Sequence, residues 1–167
     1  NNTHSRLYKH ITLGRGVRMP SDGFFLRAES YYNVSSEIQY LERVSKPGYM
    51  QRNFGGDPHA RSHGESFMSL IENRFRGNGM YILDEPEAAL SPMRCMSLIS
   101  IISSLVKKHS QFIISTHSPI LMAFPGADIY TLTNDGMYKC DYKQTDHYKI
   151  TRYFLENPEQ MIKILID

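Results

Sequence analysis

Only two cysteines occur in the 167 residues, Cys95 and Cys140, and no CxxC spacing is present. Two lone thiols suggest a reducing compartment and no structural zinc. No apolar run reaches transmembrane length and no signal-peptide pattern is present, so no membrane is expected and the cytoplasm is the default location. Net charge is only +2, too little for the whole chain to advertise nucleic-acid binding. His59 and His63 are four apart, like a zinc pair on a helix. Gly64 follows and no HExxH exists, so metal binding there is rejected. No G-x-x-x-x-G-K-[ST] occurs either. Gly14-Arg15-Gly16 runs into Val17-Arg18-Met19, without the lysine and hydroxyl of a phosphate-cradling loop. An initiator methionine is also missing from the opening Asn1-Asn2-Thr3, and a piece of a longer protein is the expectation.

What is present describes an ordinary globular chain. Hydrophobic residues make up 41% and charged residues 22%, enough for one domain with a real core. Charge is uneven: residues 1–27 hold Arg6, Lys9, Arg15, Arg18 and Arg27 against Asp22, a net +4, and the remainder carries −2. A basic arm fits phosphate or nucleic-acid contact, while a solvated segment is the commoner reading of such a run.

Residues 1–23 read as irregular, 23–29 as a short strand, and 35–44 as a helix. Residues 46–63 form a glycine- and proline-rich loop. Phe67, Leu70, Ile71 and Phe75 recur near helical spacing over 65–75, with Gly77 as a stop signal. Asn78-Gly79 turns the chain into a strand at 80–83. Ser91-Pro92 pairs a capping side chain with proline at the first helical position. The helix predicted over 92–108 has an apolar face of Leu98, Ile101, Ile102, Leu105 and Val106 and ends in Lys107-Lys108-His109. A strand follows at 112–115. Strand, helix and strand in this order predict a βαβ unit with parallel strands. Residues 129–132 and 137–142, joined by Asn134-Asp135-Gly136, predict a hairpin, and the C-terminus is helical.

The informative stretch is Tyr81–Pro92, YILDEPEAALSP. A buried strand ends in two carboxylates, Asp84 and Glu85, where charge is expensive. A hydrated Mg²⁺ with a nucleotide phosphate would explain them, since Mg²⁺ favours one or two carboxylates plus phosphate oxygens. The plainer alternative is a solvated strand end leaving through Glu-Pro. The second strand ends in Ser115-Thr116-His117-Ser118-Pro119. Ligands of parallel α/β sheets bind at the carboxyl ends of strands, so Asp84-Glu85 and Thr116-His117 fall on one edge. A histidine there, with its ordinary pKa near neutrality, suits a donor to a γ-phosphate or a positioned water.

In these motifs the chain resembles the ABC-type ATPases, the superfamily that includes chromosome-maintenance and recombination ATPases. YILDEP resembles their Walker B, which implies Asp84 as the Mg²⁺ ligand and Glu85 as the residue that polarises the attacking water. Ala88-Ala89-Leu90-Ser91 falls at the D-loop, with Ser91 where Asp is usual, and His117 at the switch histidine. Arg61-Ser62-His63-Gly64-Glu65-Ser66 lies before a helix like the signature LSGGQ, although His63 replaces its first glycine and Glu65 its glutamine. The resemblance implies that Ser62, His63, Gly64 and Glu65 meet the γ-phosphate of ATP held by a second subunit. A helix start has free N–H groups and a positive dipole end for that purpose.

A closer resemblance is to small bacterial predicted ATPases of the AAA/ABC type. They share GFFLRAES…SHGESF…LDEPEAALSP…FIISTHSPILMAFPGA with this chain from about Gly23 onward. By that likeness the strand at 25–29 matches the Q-loop region, and Glu29 takes the place of the Mg-contacting glutamine; a strand-end ion pair is the competing reading.

The implied fold is P-loop NTPase-like: a parallel-sheet core with helices, plus a C-terminal β-hairpin and helices. The implied organisation is one partial domain over 1–167, with a basic segment 1–23, a Q-loop and signature region 24–79, and the remaining motifs over 80–167. The implied function is ATP binding and Mg²⁺-dependent hydrolysis by a head-to-tail homodimer, coupled to a nucleic-acid or partner-protein process. For the missing loop, a C-terminal portion of a full ATPase ranks ahead of a truncated product, and both ahead of a loop supplied by another chain. The alternative function is a non-hydrolysing nucleic-acid or partner-binding module that keeps the ATPase shape.

Overall fold

The computed structural model describes residues 9–12, 14, 16–17, 19–31 and 62–166, and between them 40, 42, 48, 50–51 and 55–56. Most of the helix expected at 35–44 and of the loop at 46–63, and Arg6, Arg15 and Arg18 of the basic arm, lie outside the described residues.

Among the described residues three parallel strands form the core sheet, in the order β1 (Asp22–Arg27), β2 (Gly79–Asp84) and β3 (Gln111–Ser115). Helix α1 (His63–Arg74) precedes β2, and α2 (Pro92–Lys107) joins β2 to β3. This is the βαβ unit that the alternation of strand and helix patterns predicts. A short α3 (Pro119–Met122) leads to the antiparallel hairpin of β4 (Ile129–Thr133) and β5 (Gly136–Cys140), and then to α4 (Asp146–Glu156) and α5 (Pro158–Ile166). Asn134-Asp135 makes a two-residue turn, and Gly136 follows at φ +136°, a conformation that suits glycine.

The register explains where the core sits. Phe24, Tyr81 and Phe112 lie in one cross-strand row, and Leu26, Leu83 and Ile114 in the next on the same face. That face meets α1 and α2 through Phe67, Leu70, Ile71, Leu98, Ile102 and Leu105, all buried. Phe75 stacks flat on Tyr81, with ring centroids 4.1 Å apart and planes 4° apart. Val106, expected on the apolar face of α2, is exposed. The buried stripe runs Cys95, Leu98, Ile102 and Leu105, and Val106 falls outside it.

The sequence predicts that β2 is buried on both sides, and here the sheet differs. Tyr81 and Leu83 are fully buried, while Ile82, on the other face, is only half-buried. Its row neighbours Phe25 and Ile113 are exposed. A shallow groove of about 430 Å³ on that side runs along Phe25, Met80 and Ile82. Among the described residues, α1 and α2 pack on one face of the sheet, so alternate residues of a continuous apolar run meet different surroundings.

The amino edge of the sheet is tied by Asp22. Arg74 Nη1 donates to both of its carboxylate oxygens at 2.8 Å. The Tyr81 hydroxyl lies 2.8 Å from Asp22 Oδ2 and 2.8 Å from the Arg76 carbonyl, and its one hydrogen serves either. Burial works to raise the Asp22 pKa, but the bonds from Arg74 and Tyr81 and the Arg74 charge outweigh it and hold the carboxyl below its usual value. A depressed folded-state pKa stabilises the protein above the unfolded value of about 3.9 and ceases to do so as pH falls through the folded value. The urea midpoint of the parent protein is therefore expected to fall more steeply below about pH 4 than that of Asp22→Asn. Parallel acid profiles would show instead that Asp22 is not the source of the loss.

Candidate active site at the carboxyl edge

Chain geometry gathers the chemistry at the opposite edge. The strands end side by side, Arg27 opposite Asp84 and Asp84 opposite Ser115. Beyond Asp84 the chain turns sharply. Glu85 adopts a left-handed conformation, φ 49° and ψ 50°, and its N–H donates to the Ser115 carbonyl at 2.9 Å. A non-glycine residue in that region costs about 1–3 kcal/mol, and such strain clusters at functional sites. From there Glu85 reaches across the strand ends: its Oε1 lies 3.5 Å from His117 Nε2, and both side chains are solvent-accessible. That is an ion-pair distance, and contacts between catalytic groups are often long before a substrate draws them in.

The loop that carries His117 is held by Glu87, in the 3-10 turn Pro86–Ala89. Glu87 Oε2 accepts from Thr116 Oγ1 at 2.7 Å, and Oε1 accepts from the His117 N–H. One carboxylate thus joins the turn after β2 to the loop after β3. On its other side His117 Nδ1 lies 2.9 Å from Nε2 of His147, in the first turn of α4. Cys95 lies buried below. Burial first, and then the Glu87 charge, push its thiol up, and Ser118 only partly offsets them, so this sulfur is kept from ionising. Both cysteines are free thiols.

Asp84 does not stand alone. Arg27 Nε donates to Asp84 Oδ2 at 2.6 Å, and this carboxylate is the main reason the guanidinium pKa is raised. Glu29 is exposed in the turn beyond β1, two residues past the one that contacts Asp84. Among the described residues, no group of three His, Cys, Asp or Glu side chains could hold a metal. The donor set nevertheless suits Mg²⁺, which takes one or two carboxylates and leaves other places to water and phosphate oxygens. Asp84 supplies such an oxygen, in competition with Arg27.

The remaining sequence-predicted residues form a second group at the start of α1. Ser62 is the N-cap. Glu65 turns back and accepts from the Ser62 N–H at 3.0 Å and from its Oγ at 2.7 Å. Arg94, from the first turn of α2, reaches Glu65 Oε1 at 3.3 Å. His63 places its ring edge-on to buried Tyr31 at 5.2 Å. Gly64 is buried, and a Cβ there would press on the Arg94 side chain and lie 2.7 Å from the Ala89 carbonyl oxygen. Only glycine permits that approach. Ser91 caps α2, its Oγ accepting from the Arg94 N–H at 3.4 Å. The two groups meet different parts of one turn: Glu87 clamps the His117 loop, and Ala89 packs on Gly64.

Sequence reasoning missed four of these residues. Arg94 had a local signal in part, since Ser62-x-x-Glu65 is a capping-box pattern whose glutamate then needs a cation. Glu87 lies inside the motif itself. Arg27 and His147 had no local signal, because strand register and the return of α4 bring them in.

Residues 58–123, which include the start of α1 and Asp84, Glu85, Glu87 and His117 but not Arg27 or His147, match the domain family described as "AAA domain, putative AbiEii toxin, Type IV TA system". The chain is 29% identical over 85 residues to UvrABC system protein A of Chlamydia muridarum, a stretch that covers 49% of this chain and 5% of that protein. The SMC head domain from Thermotoga maritima aligns with a TM-score of 0.43 at 18% identity, over 70% of this chain and 52% of that one. Among the described residues no helix is long and apolar enough to cross a membrane.

Proposed function

On the premise that the chain is similar to ATPases of the ABC and AAA types, we propose that it supplies part of a site that binds and hydrolyses ATP. One observation carries this reading: Glu85 and His117 face each other at 3.5 Å at the carboxyl ends of neighbouring parallel strands, beside Asp84.

In this reading Glu85 accepts a proton from, and so polarises, the water that attacks the γ-phosphate. His117 donates from Nε2 to a γ-phosphate oxygen. Phosphoryl transfer is catalysed chiefly by positioning and charge neutralisation, and an acceptor and a donor on facing loops supply both. Asp84 would hold Mg²⁺, partly through water, and the ion when bound neutralises phosphate charge. For this Arg27 must give up or share Asp84 Oδ2. Glu29 is close enough in sequence to join that shell only if the turn after β1 moves. The start of α1, with Ser62, His63, Gly64 and Glu65, faces the γ-phosphate of ATP bound to a second copy, and Ser91 lies along the same junction. A head-to-tail homodimer follows from that arrangement, with its opening coupled to a nucleic-acid or protein partner. These 167 residues hold no G-x-x-x-x-G-K-[ST] loop, so the phosphate cradle of the complete site comes from other residues.

The test is phosphate release from ATP with Mg²⁺ by the full protein. Turnover is expected, and Asp84→Asn is expected to lower it by at least about 10²-fold. A second reading rests on the Arg27–Asp84 pair, which already neutralises the carboxylate: a module that keeps the shape and binds nucleic acid or a partner without hydrolysis. No turnover by the full protein, with ATP present in excess, would favour that module.

A further inference from the structure

His147 lies 30 residues beyond His117, outside the 58–123 match and outside every motif of the sequence. The two rings nonetheless meet, Nδ1 of His117 to Nε2 of His147 at 2.9 Å, with centroids 5.0 Å apart and planes tilted by 39°. The position of His147 is fixed from behind. Thr145, buried, caps α4 by accepting from the Tyr148 N–H at 3.3 Å and itself donates to the Tyr142 carbonyl at 2.8 Å. Helix α4 also packs on α3, which begins two residues after His117.

Donor and acceptor inventory then fixes the hydrogens. An ionised carboxylate only accepts, so Glu85 Oε1 at 3.5 Å favours a hydrogen on His117 Nε2. A neutral imidazole carries one N–H, so Nδ1 of the same ring must accept. The donor to it is the Nε2–H of His147. We propose that His147 is a positioning residue: it holds His117 in the Nε2–H tautomer and turns that hydrogen toward Glu85 and the reacting phosphate. This rests on reading Glu85 and His117 as the catalytic pair. It makes the C-terminal helical region part of the active site rather than an appendage. An outer partner of this type commonly changes activity by about 10–100-fold when it is removed from a ligating histidine, and the same logic of tautomer and orientation applies here.

The decisive measurement needs no nucleotide. Long-range ¹H–¹⁵N spectra of the histidine rings in the ¹⁵N-labelled full chain, recorded about two pH units above the ordinary histidine pKa of about 6.5, report the tautomer of His117. The His117 signal is identified by its loss in His117→Asn. A single Nε2–H form is expected in the parent protein. His147→Phe should replace it with a mixture of both tautomers, and His147→Gln, whose amide can still donate, should keep the single form. His147 is exposed, so both variants should fold, and the parent spectrum is informative by itself. An Nδ1–H form of His117 in the parent, or an unchanged His117 signal in His147→Phe, overturns the inference. In hydrolysis by the full protein, His147→Phe should lower kcat about tenfold at unchanged KM, with most of the rate restored by Gln. An unchanged kcat would remove the positioning role. Failure of ATP hydrolysis altogether would strike the proposed function and leave the tautomer result standing, so the two are separable.

Discussion

Glu85→Gln is expected to lower kcat for ATP hydrolysis by about 10²–10⁴-fold, the range contributed by a positioned general base, with ATP affinity and fold retained. The substitution keeps the shape of the side chain and removes only its basicity. The backbone that aims it is independent of the carboxylate, because the bond to Ser115 comes from the Glu85 N–H and the Ala88 N–H closes the turn on the Glu85 carbonyl at 3.0 Å. The side chain is 41% exposed, so no buried partner is orphaned by the change. A fall in kcat with unchanged nucleotide affinity marks an interaction made in the transition state alone. Phosphate release from saturating ATP by parent and variant decides the matter. Equal rates would remove Glu85 from the role of base.

Phe67→Ala is expected to destabilise the protein by about 3–5 kcal/mol, the usual cost of emptying a buried aromatic site. Phe67 is fully buried on α1 and meets the Tyr31 ring edge-on at 5.6 Å. Its removal opens a cavity between α1 and the end of the β1 segment. The consequence is also functional, because α1 carries Ser62 and Glu65 at its start. Loosening this helix frees the Gly64–Ala89 contact that seats it against the turn after β2. Phe67→Leu, closer in volume, should cost less than Phe67→Ala. Urea unfolding of the three proteins measures both steps. A loss below about 1 kcal/mol for Phe67→Ala, the scale of an average substitution, would mean that the site is not packed as described.

Neither result follows from residue type alone. Phe67 is readable in the sequence as one of a helical set with Leu70, Ile71 and Phe75, and all four are buried. The adjoining elements were legible for similarly local reasons. Ser91-Pro92 starts α2, Asn134-Asp135-Gly136 closes the hairpin, and each strand ends within a residue or two of its expected place. Asp84-Glu85 and Thr116-His117 were legible on one edge because two strands joined by one helix are expected to run parallel, which puts both carboxyl ends on the same side.

By itself, then, the sequence determined the order of elements, the βαβ unit and the edge where Asp84, Glu85 and His117 collect. These depend on hydrophobic period, caps and turns, which act over a few residues. Tertiary structure alone decided what surrounds them. Arg27 meets Asp84 because β1 pairs with β2 in one particular register, and a shift of one residue would put another side chain there. Glu87 clamps Thr116 and the His117 N–H because Glu85 turns left-handed and lets the chain double back. His147 reaches His117 only after the chain has formed β4, β5 and the start of α4. Contacts between distant parts of a chain depend on register and packing, which no local run of residues encodes. The motif therefore marks the edge, and the fold chooses the company that tunes it.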